Sequence, residues 1–264
     1  MSNSSKDTSP LPTAVVHWRR FNISTNKIGD LIASVRAAVN ARSGFVAMAH
    51  DAASLVTSAR TPGLPYEALT DVLSIADGWP VALLASCSSG LPVKTSPGPE
   101  IFKILIRDTT LTHFIVGGSP ITADALEKSS GANICGVYSA LISKPLEFSL
   151  DELVSAIDRS KPDIVWVCLG SVKQLIVAWR LSKRLPRSVI LAVGAALDFE
   201  TGSVQRAPEC LRALGLEAPY RLVREPRRLW RRYLLIAPQV LYWAAVAGLK
   251  RRLAPSLAAV QEHR

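Results

Sequence analysis

The fold is decided by two stretches, PDIVWVCLGSVKQ at residues 162–174 and VILAVGAALD at residues 189–198. Each contains an unbroken run of apolar residues that ends at a glycine. A continuous apolar run, rather than strict alternation of apolar and polar residues, is typical of a parallel strand that helices cover on both faces. We predict a helix at Lys173–Arg184 between them, and the order strand, helix, strand indicates an α/β fold.

The same pattern recurs along most of the chain. It predicts strands at Gly44–Met48, Val72–Ala76, His113–Val116, Ile134–Tyr138, Ile164–Cys168 and Val189–Val193. It also predicts helices at Lys27–Ala41, Ser54–Ser58 with a continuation, Glu100–Arg107, Thr122–Ser129, Ser149–Ser160 and Lys173–Arg184. Ser149 and Glu152 have the spacing of a capping box for the fifth of these helices. We therefore expect an α/β fold, with a mostly parallel, Rossmann-like sheet flanked by helices.

Several predicted strands end in turn residues: Ala76–Gly78, Gly117–Pro120, Leu169–Ser171 and Gly194–Ala195. In open α/β sheets the ligand crevice lies at the carboxyl ends of the strands, where these segments are expected. A tight turn explains any one of these glycines equally well. The four together favour a binding site, and they make Gly117, Gly118 and Gly170 candidate ligand contacts.

Positive charge is concentrated near the C-terminus. The chain of 264 residues has a net charge of +10, and residues 221–252 hold nine basic side chains against one acid, Glu225. Such a cluster attracts either nucleic acid or an anionic membrane or phosphate group, and charge alone does not choose between them. No nucleic-acid recognition motif accompanies it, so we expect no nucleic-acid partner.

The apolar run Tyr233–Leu249 lies within this basic region and carries no charge. It is at the short limit for a membrane-spanning helix, and Pro238 interrupts it. We expect an interfacial segment whose basic flanks, including Arg231 and Arg232, meet anionic headgroups. The alternative is a helical hairpin that packs on the core or on a second subunit, and a homo-oligomer stays possible.

Three segments are expected along the chain. Residues 1–13 are polar, rich in Ser and Pro, and lack the features of a secretory signal, so we predict a disordered tail and a cytoplasmic protein. Residues 14–215 would form the α/β core, and residues 216–264 a basic amphipathic appendage that associates with membranes. The four cysteines are far apart, and neither a disulfide framework nor a zinc site is indicated.

The absence of three common motifs gives no support for a dinucleotide site, a P-loop or a metal-bridged diphosphate site. The chain has no G-x-G-x-x-G, no phosphate-binding P-loop and no D-x-D, the motif with which many sugar transferases bind a metal and a diphosphate. Neither a metal nor another cofactor is therefore expected.

Residues 162–233 contain a succession of motifs that resembles a known family. GSVKQ, VGAALD, RAP, LGLEAPYR and EPRR follow one another there. This succession resembles the C-terminal half of the WecG/TagA/CpsF glycosyltransferases, which typically show P-K-Q-E, G-V-G-x-x-F-D, R-A-P, G-L-E-W-x-Y-R and E-P-x-R. Upstream, Ala76–Gly78, Gly98–Glu100 and Phe114–Pro120 resemble further family segments, so the resemblance covers about residues 44–236.

The resemblance implies an inverting, metal-independent enzyme. It would transfer a sugar from a nucleotide donor, commonly UDP-linked, to a lipid-diphosphate-linked acceptor at the inner face of the bacterial plasma membrane. Asp77 falls on the aspartate proposed as general base of the family. Such a base is needed because an acceptor hydroxyl is a poor nucleophile until its proton is removed.

The other implied site residues would bind substrate. Lys173 and Gln174 fall on the K-Q of the sugar-nucleotide motif, at a predicted helix start that favours anions. Four arginines of the appendage would close over the diphosphate, since guanidinium groups bind phosphate oxygens in pairs. The full set of candidate substrate contacts is His50, Asp51, Glu100, Gly117, Gly118, Gly170, Lys173, Gln174, Asp198, Arg206, Tyr220, Arg221, Arg224, Arg227 and Arg228.

The sequence also departs from the family. Val172 and Leu175 replace the P and E of P-K-Q-E, and Ala47 and Ala49 stand near positions where the family carries Thr and Asn. His50 or Asp51 is the candidate substitute. A degenerate member that binds donor or membrane without turnover is therefore the main alternative, and a basic nucleic-acid-binding protein is the second.

Overall fold

The computed structural model describes residues 15–139, 144–213 and 216–261, apart from the side chains of residues 212, 213, 228 and 254–261. Within this part of the chain the strands form one eight-stranded sheet in the order β1-β2-β4-β3-β8-β7-β5-β6. The strands are β1 Val15–Trp18, β2 Phe21–Ser24, β3 Phe45–His50, β4 Leu73–Ala76, β5 Thr112–Val116, β6 Asn133–Tyr138, β7 Ile164–Val167 and β8 Val189–Ala192.

All strand pairs are parallel except β1 with β2. The central strands β7 and β8 are fully buried and pair in register from Ile164–Val189 to Val167–Ala192. Their β-branched residues suit a pleated surface that is covered on both faces. The expected α/β class with a mostly parallel sheet is thus confirmed.

Helices cover both faces of this sheet. The helices before β7 are α1 Ile28–Ala41, α2 Ala52–Arg60, α3 Tyr66–Thr70, α4 Trp79–Ser89, α5 Gly98–Ile106, α6 Pro120–Ser130 and α7 Asp151–Ser160. Those after it are α8 Ser171–Arg184, α9 Ala196–Glu200, α10 Glu209–Ala213, α11 Glu217–Arg224, α12 Pro226–Trp230 and α13 Pro238–Gln261, with a π-helical segment Arg231–Ile236 before α13. One apolar cluster joins the sheet to α2, α4, α7, α8 and α13, and the other joins it to α1, α5, α6 and α9.

Three local features differ from the sequence predictions. The antiparallel hairpin β1–β2 was not predicted, because its strands are short and include charged or polar residues. Helix α4 was also missed. The capping box at Ser149 is wrong: α7 begins at Asp151, and the Ser149 hydroxyl bonds to the Asp151 carboxylate instead. The predicted disordered tail at residues 1–13 lies outside the described residues.

The C-terminal helix α13 packs on the core along one face, as in the hairpin alternative, and the interfacial alternative stays a prediction. Val240, Trp243 and Ala244 are buried against the core, and the Trp243 ring lies 4.7 Å from that of Trp18. The opposite side of the helix is apolar and exposed, with Tyr242 at 68% and Leu249 at 59% exposure. The appendage is therefore packed on the core along one face and open along the other.

The connections of β3 and β8 place a crevice at the carboxyl edge of the sheet. These two strands are neighbours, but the chain leaves β3 for α2 on one face and leaves β8 for α9 on the other. The diverging connections open a gap between them, which is where open α/β sheets bind ligands.

Candidate active site

A cleft of about 690 Å³ opens at this edge of the sheet. Its walls come from the ends of β3 and β4, the N-termini of α2, α4 and α5, and the segment from α9 to the start of α13. Its charged and hydrogen-bonding side chains are Asp51, Asp77, Thr95, Glu100, Arg206, Glu217, Arg221 and Tyr233. The cleft therefore holds four carboxylates and two guanidinium groups around a space large enough for a nucleotide.

Asp77 directly follows β4 and lines the cleft. Its Oδ1 accepts a hydrogen bond of 2.6 Å from the backbone N–H of Gly98, at the first residue of α5. Gly98 is required at this contact, because a Cβ there would lie 2.8 Å from the Ala49 methyl and 3.4 Å from Asp77 Oδ1. Burial, together with the negative charge of Asp51, raises the pKa of Asp77 to about 6. Asp77 thus titrates close to neutral pH, as a general base requires.

Asp51 ends the neighbouring strand β3 and serves two purposes. One carboxylate oxygen caps α2 by accepting a 2.7 Å bond from the N–H of Ser54. The other forms a 2.7 Å ion pair with Arg232. Burial alone would raise the pKa of Asp51, but the charge of Arg232 and the bonds at the cap outweigh burial and lower it. Asp51 is therefore a fixed negative charge beside Asp77.

Arg206 joins the core to the appendage. Its guanidinium bonds Glu100 at 2.7 Å and Glu217 at 3.2 Å, so the first turns of α5 and α11 are tied to one side chain. The guanidinium also lies 5.7 Å from the centre of the Phe199 ring. Arg206 is therefore held in place by two carboxylates and an aromatic face.

Arg221 and Tyr233 complete the appendage side of the cleft. The Arg221 guanidinium lies 5.2 Å from the centre of the Phe199 ring, and its Nε is buried without a hydrogen-bond partner. Burial, together with the nearby carboxylates of Asp51 and Asp77, raises the pKa of Tyr233 and keeps its hydroxyl protonated. A cation and a hydroxyl thus face the two aspartates across the cleft.

Two of the other arginines predicted for the diphosphate, Arg224 and Arg227, do not line the cleft. Arg224 is exposed and bonds Gln205 at 2.7 Å, and Arg227 is exposed as well. The side chain of Arg228 lies outside the described part. Tyr220 is half-buried in α11 and does not line the cleft.

A second group of predicted residues lies at the ends of β5, β7 and β8. Gly117 has a φ of +101°, a conformation that L side chains rarely adopt. Gly170 is exposed at the start of α8, and Lys173 is exposed in its first turn. The next residue, Gln174, is only 3% exposed, and its Oε1 has no partner. This buried amide lies against Gly194, where a Cβ would sit 3.6 Å from that oxygen.

The remaining predicted contacts lie apart from the cleft lining. Gly118 packs near Leu197 of α9, and Asp198 is exposed on the same helix. His50 is fully buried, with its ring 5.7 Å from that of Phe21, and burial lowers its pKa to about 4. The side chain of His50 is therefore neutral and belongs to the core, whereas Asp51 faces the cleft.

The structure adds residues that the sequence did not place in the site: Phe199, Glu217, Arg232 and Tyr233. Arg232 was assigned to membrane headgroups because it belongs to a run of basic residues, but it turns toward Asp51. Only tertiary proximity identifies this pair, which joins residues 181 positions apart. Within the described residues, no group of three or more His, Cys, Asp or Glu side chains is arranged to hold a metal ion.

A comparison with known protein families gives a match over most of the chain. The family model described as "Glycosyl transferase WecG/TagA/CpsF family" matches residues 17–254. The chain therefore belongs to that glycosyltransferase family, whose members act in cell-surface glycan biosynthesis on a nucleotide-sugar donor and a lipid-linked acceptor. Among the residues that the structure describes, one helical stretch, Arg231–Leu253, is long and apolar enough to cross a membrane by length and composition, and 17% of an 18-residue segment of it is buried.

Proposed function

We propose that this enzyme transfers a sugar from a UDP-linked donor to a lipid-diphosphate-linked acceptor with inversion at the anomeric carbon, and that Asp77 is the general base. The observation that carries the proposal is the position of Asp77, whose pKa is raised to about 6, at a strand end inside a cleft of about 690 Å³. One arginine of the appendage, Arg221, lines the same cleft, and a second, Arg232, is paired with the neighbouring Asp51.

The reaction requires one proton acceptor and stabilisation of one leaving group. The acceptor hydroxyl oxygen attacks the anomeric carbon, its proton passes to the Asp77 carboxylate, and the bond from carbon to the donor phosphate breaks with its electron pair on the nucleotide. At pH 7 a carboxyl group with a pKa near 6 is mostly ionised, yet it is basic enough to accept the proton. Attack on the face opposite the nucleotide gives inversion.

Guanidinium groups would stabilise the departing diphosphate. Arg221 is the best placed, because its guanidinium lines the cleft and its Nε has no hydrogen-bond partner. Arg206 is already shared between Glu100 and Glu217, so it positions the appendage rather than offering a free charge. Charge-assisted bonds from arginine to phosphate replace the metal that other sugar transferases use, and no metal or cofactor is proposed.

Gln174 is the candidate contact for the nucleotide base. A buried amide oxygen without a partner costs free energy of about 1–3 kcal/mol, so a ligand that donates a hydrogen bond would relieve that cost. The imide N–H of uracil is such a donor. Gln174 follows Lys173 at the start of α8, where the helix end favours the negative charge of phosphates.

At Leu175 and Ala49, the departures from the family leave the contacts of Asp77 in place. Leu175 is 1% exposed and lies in the apolar cluster that includes α2 and α13. Ala49 packs against Gly98 and leaves room for the bond from Gly98 to Asp77. These contacts favour an active enzyme over a degenerate one.

Attachment to the inner face of the bacterial plasma membrane would bring the cleft to its lipid-linked acceptor. The exposed face of α13 and of the segment before it is apolar, and Arg231, Lys250, Arg251 and Arg252 bracket it. Apolar contact and attraction to anionic lipids together give stable interfacial binding.

The proposal is tested by assaying a panel of nucleotide sugars with a short-chain lipid-diphosphate acceptor. One UDP-sugar should give a disaccharide-lipid product of inverted anomeric configuration, identified by mass spectrometry and NMR. Donor binding without transfer across the whole panel would favour the degenerate, non-catalytic alternative. The same assay with purified Asp77→Asn protein separates transfer by this enzyme from a contaminant.

A further inference from the structure

A second cavity, here called the Trp18 pocket, lies at the C-terminal end of α4, whereas the cleft lies at the N-terminal end of that helix. The pocket has a volume of about 550 Å³ and is lined by the turn of the β1–β2 hairpin, the C-terminal part of α4 and the middle of α13. Helix α4 contributes Gly78–Pro80 to the cleft and Ser88 to this pocket. At about 1.5 Å per helical residue, roughly 15 Å separates the two sites.

The wall of the Trp18 pocket is a cluster of aromatic rings and one arginine. The rings of Trp18 and Trp243 lie 4.7 Å apart, and the Arg19 guanidinium lies 5.0 Å and 5.2 Å from their respective centres. Such cation–π contacts fix the guanidinium plane against the two indoles. Arg19 is therefore oriented before any ligand arrives.

Two further cations come from α13. The guanidinium of Arg251 packs against Gly90, the left-handed residue that ends α4, in the space that a side chain at position 90 would fill. The carboxyl end of a helix attracts positive charge, so α4 helps to hold Arg251 there. Lys250, which is exposed, also lines the pocket.

Among the described side chains, no acid neutralises these three cations. The lining residues of the pocket include no acid, and within the described residues none of Arg19, Lys250 and Arg251 forms an ion pair. Arg206 and Arg232 of the cleft differ, because both are bound to carboxylates. The Trp18 pocket thus has the charge of an anion site, and its indoles suit a ligand with an apolar part.

The rim of the pocket is continuous with the exposed apolar face of α13. Tyr242 belongs to both, since it lines the pocket and is 68% exposed. Leu249 and Leu253 continue that face beyond the rim. A ligand would therefore place an anionic group among the arginines and an apolar tail along the helix.

We propose that the Trp18 pocket binds the phosphate headgroup of an anionic phospholipid, with Arg19, Lys250 and Arg251 around the phosphate and the acyl chains along α13. The inference rests on the proposed contact of α13 with the bilayer. It adds a defined site for one lipid to an attachment that would otherwise depend on the overall charge of the appendage.

The test uses a short-chain phosphatidylglycerol below its critical micelle concentration, so that no membrane surface is present. Tryptophan fluorescence of the full chain should change saturably with one lipid bound per protein. The Arg19→Ala/Arg251→Ala double variant should bind at least tenfold more weakly, because a charge-assisted bond contributes about 1.5–3 kcal/mol and 1.4 kcal/mol is a factor of ten. Arg231→Ala/Arg252→Ala is the matched control and should bind this lipid like the wild type.

Each of the other outcomes overturns the proposal. If both double variants lose the same affinity for the short-chain lipid, the overall positive charge attracts the lipid and no defined site exists. If inorganic phosphate binds as tightly as the lipid, the pocket binds a soluble anion instead. Wild-type protein that sediments with phosphatidylglycerol vesicles but shows no saturable binding of the short-chain lipid would keep the membrane attachment and remove the pocket. If the wild-type protein does not sediment with the vesicles at all, both the membrane attachment and the lipid site in the pocket are rejected. Circular dichroism of each variant checks its fold.

Discussion

The sheet and the C-terminal appendage contribute different charges to the same cleft, because the appendage supplies arginines together with one carboxylate, Glu217. The strand ends of the sheet supply Asp51 and Asp77, whereas the appendage supplies Arg221 and Arg232. The carboxylates are fixed by backbone N–H groups of helix starts, but the cations reach the cleft from a segment whose other side is exposed and apolar. The core therefore holds the proposed base, and the proposed site needs the docked appendage for the cations that face this base.

The largest expected effect comes from the core side. Asp77→Asn removes the proposed proton acceptor and keeps the shape of the side chain, so turnover should fall by about 10²–10⁴-fold while donor affinity is retained. Steady-state kinetics and donor titration measure the two quantities. Asp30→Asn, at an exposed position of α1, is the control and should leave both unchanged. Wild-type turnover in the Asp77→Asn enzyme would reject Asp77 as the base.

The next effect concerns the stability that the appendage gives to the core. Trp243→Ala should lower the free energy of unfolding by about 3–5 kcal/mol, since it leaves a cavity beside Trp18 and α4. Tyr242→Ala, one residue away and largely exposed, should change it by less than about 0.5 kcal/mol. Urea titrations measure both. Equal, small changes would mean that contacts with the core do not hold α13 in place, and they would favour the interfacial segment over the packed hairpin.

A smaller effect distinguishes the appendage arginines from one another. Arg221→Ala should weaken use of the donor about ten- to a hundredfold, which corresponds to the loss of one charge-assisted bond of about 1.5–3 kcal/mol. Arg227→Ala removes an equal charge from an exposed position and should have little effect. The measurement is kcat/KM for the nucleotide sugar. Similar losses in the two variants would show that net charge, rather than position in the cleft, attracts the donor.

The smallest expected effect is that of a chelator. Because arginine replaces a metal in the proposed chemistry, turnover should be the same in EDTA as in buffer. Loss of activity that manganese or magnesium restores would contradict this prediction. That result would mean that a metal ion held by the core carboxylates, rather than the arginines of the appendage, stabilises the diphosphate.

The sheet could be predicted from the sequence because its strands are short, continuous apolar runs. Ile164–Val167 and Val189–Ala192 are buried on both faces, so nearly every residue in them carries the same signal. The β1–β2 hairpin gave no such signal, because its alternating burial includes exposed His17. Part of the site could be predicted as well, since Asp51 and Asp77 follow strands that lie side by side.

The appendage half of the site could not be predicted, because a run of basic residues does not state which way each side chain points. Arg232 pairs with Asp51, Arg231 stacks on Trp230, and Arg251 lies against Gly90. These three arginines have similar sequence surroundings and different environments. Only the packing of α13 and of the π-helical segment before it separates them.

The pH dependence of kcat/KM tests the central claim most directly. Burial of Asp77 beside Asp51 raises its pKa to about 6, and the proposed base must be ionised to act. The wild-type rate should therefore be steady above neutral pH and fall by about tenfold per pH unit below pH 6. The residual activity of Asp77→Asn should lack this acid limb. A wild-type profile that stays flat down to pH 4.5, or an acid limb that persists unchanged in Asp77→Asn, would contradict the assignment of Asp77 as the base.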